Sequence, residues 1–314
     1  MNITILGGGS WGSALAIHLA KKKHSVKIWE FFPEQAQHMQ EKRECPLLPG
    51  VKLSDKIFVS SDMKTTLTNA DVIFIVVPSD KVEAAIEKAA PFLKKEPIIL
   101  CSKGFASKMR LLSDVVKEHS SGPVYCLYGP THAEEVSRGV FSGLVLAGGE
   151  GKEKLKKAIE SSLLRVDLSD DIVGVQVAAG LKNVLAIFIG ILSGAGFGDN
   201  TSAYVLTRGL QEIKTVGVKW GGKTDTFYGL AGIGDIIVTC ESKHSRNRHI
   251  GEQVGKGRKL ADVLAEMKMV AEGVTTVKMV PSLQEKFHLP LPVMMSVYAI
   301  MFEGLSVQKA LERI

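Results

Sequence analysis

The sequence has few cysteines, few aromatic residues and no long apolar run. Its four cysteines lie far apart and form no CxxC pair, which argues against a zinc ribbon or a disulfide scaffold and favours reduced thiols in a cytoplasmic protein. Aromatic residues make up 6% of the chain and no basic run alternates with them, so nucleic-acid binding is not expected. No uninterrupted stretch reaches about 18 apolar residues, so the sequence predicts no membrane span.

Length and charge set the class of protein and of ligand. The 314 residues are enough for two domains with separate hydrophobic cores. The net charge of +6 is a modest excess spread along the chain, and it suits an anionic small molecule. The histidines are scattered; His244 and His249 lie five residues apart among basic neighbours, so no metal site is expected.

The two halves of the chain differ in their secondary-structure patterns. The first half alternates short β-branched runs with helical patterns, which predicts βαβ units and a mostly parallel sheet. The predicted strands are Ile3–Leu6, Val26–Trp29, Ile57–Val59, Val72–Val77, Ile98–Leu100, Val124–Leu127, Gly143–Ala147 and Arg165–Leu168. After about Asp170, long apolar helical patterns replace the strands. We therefore expect an α/β protein: a Rossmann-type, doubly wound sheet domain over residues 1–170 and an all-α domain over residues 171–314.

The segment ILGGGSWG predicts a dinucleotide-binding loop. Gly7, Gly9 and Gly12 fit G-x-G-x-x-G between a predicted strand and a predicted helix, and Glu30 ends the second strand about twenty residues later. Such glycines allow a tight turn and close approach of a pyrophosphate to helix N–H groups. The alternative is a glycine turn that serves packing alone.

Glu30 bears on the choice of cofactor. A carboxylate at this position can accept the ribose hydroxyls of NAD and repels a 2′-phosphate, and Phe31 and Phe32 stand where an NADP site would have an arginine. The sequence therefore favours NAD, with NADP left open. The alternative is that Glu30 only caps the helix predicted from Pro33.

Two further motifs follow predicted strands, where ligands bind at the carboxyl edge of a parallel sheet. In CSKGF, Lys103 could attract a phosphate or polarise a carbonyl, although lysines are common in loops. In YGPTHAEEV, Gly129 turns the chain into a helix start at Thr131, whose hydroxyl and neighbouring N–H groups could face a ligand. An ordinary capped helix is the alternative there.

The segment GLAGIGDIIVTCESKHSRNRHIG combines Asp235 with the polar cluster SRNR. Arg246 offers a planar fork of donors for a phosphate, and Ser245 and Asn247 add further donors. This pattern is typical of an anion site, and an exposed basic turn is the alternative.

Lys182 lies inside the apolar stretch AAGLKNVLAIFIG. A buried, unpaired ammonium is costly, so the group loses its proton or finds a partner. Alternatively, Lys182 reaches the surface on its four-carbon stem. The stretch by itself does not decide between these two interpretations.

Taken together and in this order, GGGSWG, SKG, GPTHAEEV, AGLKN, FGDN…TRG, GLAGIGD and SRNR resemble the bacterial-type NAD(P)-dependent sn-glycerol-3-phosphate dehydrogenases. The resemblance covers essentially the whole chain. It implies a Rossmann domain with an all-helical domain, hydride transfer between NAD(P)H and C2 of dihydroxyacetone phosphate, and sn-glycerol 3-phosphate for phospholipid synthesis. A homodimer is implied by the resemblance alone.

The resemblance also implies roles for individual residues. Lys182 matches the catalytic proton donor and acceptor, and we expect Lys103 and Asp235 to tune and hold its ammonium. The implied cofactor contacts, besides the glycines and Glu30, are Ser10, Trp11, Lys103, Ala133, Arg246, Val270 and Glu272. The implied substrate contacts are Lys103, Gly129, Thr131, Lys182, Asp235, Ser245, Arg246 and Asn247.

Two residues depart from the family pattern. Tyr128 stands where relatives often have serine, and the acidic Glu30 replaces a basic or neutral residue of NADPH-preferring relatives. Cofactor choice therefore cannot be copied from them. Another two-domain ketoacid reductase and a non-catalytic NAD-binding sensor remain as rival functions, while the direction of the reaction and feedback regulation are not set by the sequence.

Overall fold

The computed structural model describes residues 1–267 and 272–314. Within them the chain forms two compact units. The sheet unit comprises Met1–Ser102 and Arg110–Ile172, and the helical unit comprises Lys103–Met109 and Val173–Ile314. The two units are described in turn.

The sheet unit holds eight strands among the described residues. They are β1 (Asn2–Leu6), β2 (Ser25–Trp29), β3 (Ile57–Ser60), β4 (Val72–Ile75), β5 (Ile98–Leu100), β6 (Val124–Tyr128), β7 (Ser142–Ala147) and β8 (Leu164–Ser169). The helices of this unit are α1 (Ser10–Lys21), α2 (Pro33–Lys42), α3 (Met63–Leu67), α4 (Val82–Ala89), α5 (Leu112–His119), α6 (Ala133–Arg138) and α7 (Lys152–Ile159).

The strand order of the sheet is β3-β2-β1-β4-β5-β6-β7-β8. The first six strands are parallel in the order of a Rossmann fold, and the order reverses between β1 and β4, where such sheets bind ligands. β7 runs antiparallel to β6, and β8 runs parallel to β7. The predicted fold class and all eight predicted strands are thus confirmed, with the antiparallel step as an addition.

Apolar strands form the core of the sheet unit. All four residues of β4 (VIFI) are buried, as in a strand covered on both faces, and α1 packs an alanine- and leucine-rich face in the same core. Burial of this apolar surface provides most of the stability of such a sheet.

The helical unit is built around one long apolar helix. Its helices are α8 (Ile172–Gly194, whose first residue still belongs to the sheet unit), α9 (Asp199–Lys219), α10 (Asp235–Glu241), α11 (Arg246–Gly255), α12 (Leu260–Ala265), α13 (Glu272–Phe287), α14 (Pro292–Phe302) and α15 (Val307–Leu311). By length and composition α8 could cross a membrane, but 89% of its most apolar window is buried inside the protein, as in a core helix.

Glycines allow α8 and α11 to touch through their backbones. A Cβ on Gly190 would lie 2.1 Å from the carbonyl oxygen of Arg248, and one on Gly251 would lie 1.9 Å from that of Ile187. One turn further along, Gly194 and Gly255 are equally close to the opposite helix. The two G-x-x-x-G pairs therefore hold the helices closer than any larger residue permits.

The segment Lys103–Met109 differs from the sequence-based division of the chain. It follows β5, so the sequence placed it in the domain of residues 1–170, yet it groups with the helical unit. The physical reason is its contacts: Phe105 stacks on Trp220, and Lys286 donates a hydrogen bond to the Met109 carbonyl. The division at residues 170 and 171 otherwise stays a prediction.

Candidate functional site

The glycine loop of the sheet unit lies between β1 and α1. Gly7 has φ +119°, which favours glycine, and a Cβ on Gly12 would lie 2.0 Å from the Gly7 carbonyl oxygen. Backbone conformation and close packing are sufficient to explain why Gly7 and Gly12 are glycines, which is the alternative considered for the sequence motif. Gly9 is different, because a Cβ there would meet no heavy atom within 4 Å. The open space at Gly9 lies at the N-terminus of α1, where N–H groups and the helix dipole favour a pyrophosphate.

Glu30 directly follows β2 and is hydrogen-bonded to the glycine loop. Its side chain is buried and accepts hydrogen bonds from the N–H groups of Gly8 and Phe32, both at 3.1 Å. Burial raises the pKa of Glu30, and these N–H groups oppose the rise. The carboxylate thus contacts both the loop and the turn before α2, and its other lone pairs can accept ribose hydroxyls.

The remaining candidates of the sheet unit lie at helix starts and in one turn. Ser10 is the buried first residue of α1, and Trp11 packs partly against the core. Ala133 is the first residue of α6. The sequence placed that helix start at Thr131, which is wrong: Thr131 donates its hydroxyl to the Gly129 carbonyl at 3.2 Å, two residues before the helix begins.

The turn around Gly129 requires glycine. Its φ is +156°, and a Cβ would lie 2.7 Å from the Gly143 carbonyl oxygen. The preceding Tyr128 is buried and donates its hydroxyl to the Ser102 carbonyl at 2.8 Å. Tyrosine at this position therefore holds the backbone at Ser102, two residues after β5 and directly before Lys103.

Lys182, Asp235 and Lys103 form a charged network in the helical unit. Asp235 is the first residue of α10, and its carboxylate is completely buried. One of its oxygens accepts a hydrogen bond from the buried Lys182 ammonium, and the other accepts one from Lys103 at 2.9 Å. Lys182 therefore does not reach out to solvent; it is paired inside the protein.

Thr239 is a member of this network that sequence reasoning missed. Its hydroxyl accepts a hydrogen bond from Lys182 at 2.8 Å and donates one to the Asp235 carbonyl at 2.6 Å. It lies four residues after Asp235, on the same face of α10. The four-residue spacing could have indicated that Thr239 lies beside Asp235, but only if the sequence had shown that both residues belong to one helix.

The environment of Lys182 shifts its titration. Burial lowers the pKa of Lys182 from its usual 10.5, Asp235 raises it, and the Lys103 ammonium lowers it further. Burial is the largest cause, so the net direction is downward. Of the three N–H donors of an ammonium, Asp235 and Thr239 engage two, and the third can reach a ligand oxygen.

The SRNR cluster forms the N-terminus of α11. Ser245 caps the helix by accepting a hydrogen bond from the Arg248 N–H, so its hydroxyl serves the helix. Arg246 is exposed in the first turn. The Asn247 side-chain oxygen accepts from the Gly273 N–H at 3.2 Å, which leaves the amide NH₂ as a donor. A guanidinium, an amide and helix N–H groups at this helix start are donors that could hold an anion.

One of the last two predicted cofactor contacts lies at the start of α13. Glu272 is the first residue of that helix and precedes Gly273, the partner of Asn247. Val270 lies outside the described residues. Elsewhere in the described chain, Glu83, Glu118 and His119 could together reach a metal, but Arg110 binds both carboxylates at 2.6 and 2.8 Å. That group is an ion-pair cluster.

Two family models match the chain. The model described as the N-terminus of NAD-dependent glycerol-3-phosphate dehydrogenase matches residues 2–154, and the model described as its C-terminus matches residues 171–312.

Full-length relatives carry the same description. The chain is 43% identical to glycerol-3-phosphate dehydrogenase [NAD(P)+] of Prosthecochloris aestuarii, over 99% of this chain and 96% of that protein. It is 41% identical to the enzyme of that name from Chlorobium phaeobacteroides, again over 99% and 96%. The crystal structure of glycerol-3-phosphate dehydrogenase from Coxiella burnetii is similar with a TM-score of 0.95 and 32% identity, over 99% of this chain and 97% of that one.

Proposed function

The chain belongs to the NAD-dependent glycerol-3-phosphate dehydrogenase family, and we propose that it transfers hydride reversibly between a nicotinamide cofactor and C2 of dihydroxyacetone phosphate. The reduced product, sn-glycerol 3-phosphate, would serve phospholipid synthesis. The observation that carries the proposal is the buried network of Lys182, Asp235 and Lys103, in the same unit as the anion site of α11. Together they match a substrate that has both a ketone and a phosphate.

The sheet unit would hold the cofactor. The open space at Gly9 and the first turn of α1, with Ser10 and Trp11, fit a pyrophosphate, and Glu30 fits the ribose hydroxyls. The predicted contacts Ala133, Arg246 and Glu272 remain part of the proposal. When bound, the nicotinamide supplies the hydride in reduction and accepts it in oxidation.

Lys182 would manage the proton. Negative charge develops on the ketone oxygen during reduction, and an ammonium within hydrogen-bond reach stabilises that oxygen and then protonates it. In oxidation the neutral amine takes the hydroxyl proton. Because burial lowers the pKa of Lys182, both forms are accessible closer to neutral pH than for an exposed lysine.

Asp235 and Lys103 would set the state of Lys182. The Asp235 carboxylate orients the ammonium, and Thr239 fixes a second of its N–H bonds. Lys103 shares Asp235 with Lys182 and adds positive charge that favours an oxyanion. Both ammonium groups are substrate contacts in this proposal, together with Gly129 and Thr131.

The N-terminus of α11 would bind the phosphate. Arg246 offers two parallel N–H donors, Asn247 offers its NH₂, and the first-turn N–H groups add to them. Ser245 contributes by capping this helix. A ketoacid has a singly charged carboxylate in place of the doubly charged phosphate and would therefore bind this site more weakly.

Glu30 supports NAD as the preferred cofactor. Its buried carboxylate lies where a 2′-phosphate would place two further negative charges. We therefore infer higher catalytic efficiency with NADH than with NADPH, with both accepted.

The deciding experiment follows NADH oxidation with dihydroxyacetone phosphate and repeats it with NADPH. We expect turnover with both cofactors and a higher kcat/KM with NADH. Pyruvate and other unphosphorylated ketones serve as controls for the phosphate site. Absence of turnover with dihydroxyacetone phosphate, or faster turnover of an unphosphorylated ketone, would overturn the proposal.

Location and assembly belong to the proposal as well. All four cysteines are free and buried, which supports a reducing, cytoplasmic environment. A homodimer is expected from the family resemblance, and sedimentation of the purified protein tests it.

A further inference from the structure

Phe105 lies two residues after Lys103 and is almost completely buried, at 3% exposure. Its ring stacks on that of Trp220, with centroids 5.4 Å apart and planes within 6°. Its edge lies against Gly180 of α8, where a Cβ would be 2.6 Å from Phe105 Cε2. The ring is therefore placed between an aromatic side chain and a bare stretch of helix backbone, two residues before Lys182.

The far end of the same segment is held independently. Lys286 donates a hydrogen bond to the Met109 carbonyl at 3.0 Å, and its ammonium lies 4.2 Å from the centre of the Trp220 ring. The Phe287 ring also packs on the Trp220 ring, with centroids 5.0 Å apart. Trp220 is thus the common partner of Phe105 and Lys286.

Lys103 has a long, flexible side chain, and holding it beside Asp235 costs conformational entropy. That cost falls when the backbone near Lys103 is already fixed in the unit that carries Asp235 and Lys182. The stacking of Phe105 on Trp220 fixes the backbone near Lys103 in this way. The Phe105 side chain itself takes no part in the chemistry of the Lys103 ammonium. Phe105 therefore acts indirectly, by restraining the backbone that carries Lys103.

We propose that Phe105, stacked on Trp220, is a positioning residue that holds the Lys103 ammonium beside Asp235 in the helical unit. This inference rests on the proposed function for its kinetic consequence. Its structural consequence, the restraint on the Lys103 amine, holds whatever the reaction is.

The kinetic test is a double-mutant cycle with Phe105→Leu and Lys103→Met, using dihydroxyacetone phosphate and NADH. Phe105→Leu should lower kcat by up to about tenfold, the range of one aromatic pair. In the Lys103→Met background the same change should have no further effect. Independent, multiplying losses would overturn the proposal, because a purely structural role predicts them. An unchanged kcat in Phe105→Leu would overturn it too.

The second readout does not depend on activity. Labelling of Lys103 by an amine-reactive reagent, followed by mass spectrometry, should become several-fold faster in Phe105→Leu. Unchanged labelling would overturn the proposal even if the enzyme assay failed for another reason. Wild-type protein that does not turn over dihydroxyacetone phosphate would instead refute the proposed function.

Matched variants control for folding. If Phe105→Leu does not fold, Trp220→Leu breaks the same stack from the half-buried side, and Trp220→Phe should restore most of the rate. Phe302→Leu removes one ring of the Tyr298–Phe302 pair, whose centroids are 5.4 Å apart in α14, and should leave both kcat and Lys103 labelling unchanged.

Discussion

Lys182 is charged in a part of α8 where the neighbouring side chains are apolar and buried. Its hydrogen-bond partners Asp235 and Thr239 come from α10, which the sequence does not place nearby. Burial among apolar side chains lowers the pKa of Lys182, and the hydrogen bond to Asp235 compensates the buried charge of its ammonium. The proposed proton-transfer role rests on this balance of burial and pairing.

Removing the ammonium tests that role. Lys182→Ala should lower kcat by on the order of 10²-fold or more, because it removes the group proposed to deliver a proton to the reacting oxygen. Cofactor affinity, measured by quenching of protein fluorescence with NADH, should stay near that of the wild type, since the glycine loop is in the other unit. Lys182→Met preserves the side-chain volume and Lys219→Ala changes an exposed lysine, so both serve as controls. Near-normal turnover in Lys182→Ala would remove the residue from the mechanism.

Among individual residues, the charged residues and glycines of the candidate site were easier to predict from the sequence than the residues that contact them. Lys182 stood out because a charge in an apolar stretch is unusual, whereas Lys103 and Asp235 gained weight from the family resemblance; the structure brings the three together. Thr239 and Phe105 did not stand out, because a threonine in a helix and an aromatic residue after a strand are ordinary. Their importance comes from partners far along the chain.

Among the elements, the pair α8 and α11 matters most for geometry. α8 carries Lys182 and α11 carries Arg246 and Asn247, and the reciprocal glycine contacts fix how closely the two helices pack. The distance between the proposed proton donor and the proposed phosphate site is therefore set by glycines that have no part in either proposed site.

Enlarging one glycine tests this statement. In Gly251→Ala the new methyl group would lie 1.9 Å from the Ile187 carbonyl oxygen, so the helices must separate. We expect the free energy of unfolding to fall by about 1–3 kcal/mol and the KM for dihydroxyacetone phosphate to rise. Urea denaturation and steady-state kinetics measure the two effects. Gly198→Ala is the control, since its Cβ would meet nothing within 4 Å; equal behaviour of the two variants would contradict the prediction.

The strands and their mostly parallel arrangement were predictable from the sequence, but the antiparallel direction of β7 was not. Short β-branched runs bounded by turn residues mark strands in any direction, since side chains alternate identically in parallel and antiparallel pairs. The antiparallel pairing of β7 with β6 depends on the connection through α6, which the sequence pattern left open. The helix boundary at Ala133 was missed for a similar reason, because Thr131 bonds back to Gly129 instead of capping.

For the whole molecule, one buried carboxylate couples stability to pH. Glu212 in α9 accepts hydrogen bonds from the N–H groups of Val293 and Met294, at 2.6 and 3.0 Å, and so joins α9 to α14. Burial raises the pKa of Glu212 from 4.5 to about 7, against the effect of those N–H groups. The folded state therefore binds this proton more tightly than the unfolded state does.

The sign of the pH effect follows directly. The stabilising contribution of the Glu212 proton is fully present below pH 4.5 and is lost as the pH rises through about 7. As the pH rises from 4.5 through about 7, the free energy of unfolding of the wild type should fall relative to that of Glu212→Gln by on the order of 3 kcal/mol. Denaturation at pH 4.5, 6 and 8 measures this, with the exposed Glu285→Gln as control. Parallel pH profiles for wild type and Glu212→Gln would contradict the assignment.

The path of the 103–109 segment has a consequence for recombination between relatives. A chimaera joined at residues 170 and 171 would take Lys103 and Phe105 from one parent and Asp235, Trp220 and Lys286 from the other. The residues that would act together in the proposed reaction are therefore encoded in separate parts of the gene. Exchange at that junction preserves function only where the two parents agree at these five positions, so the positions should be transferred together.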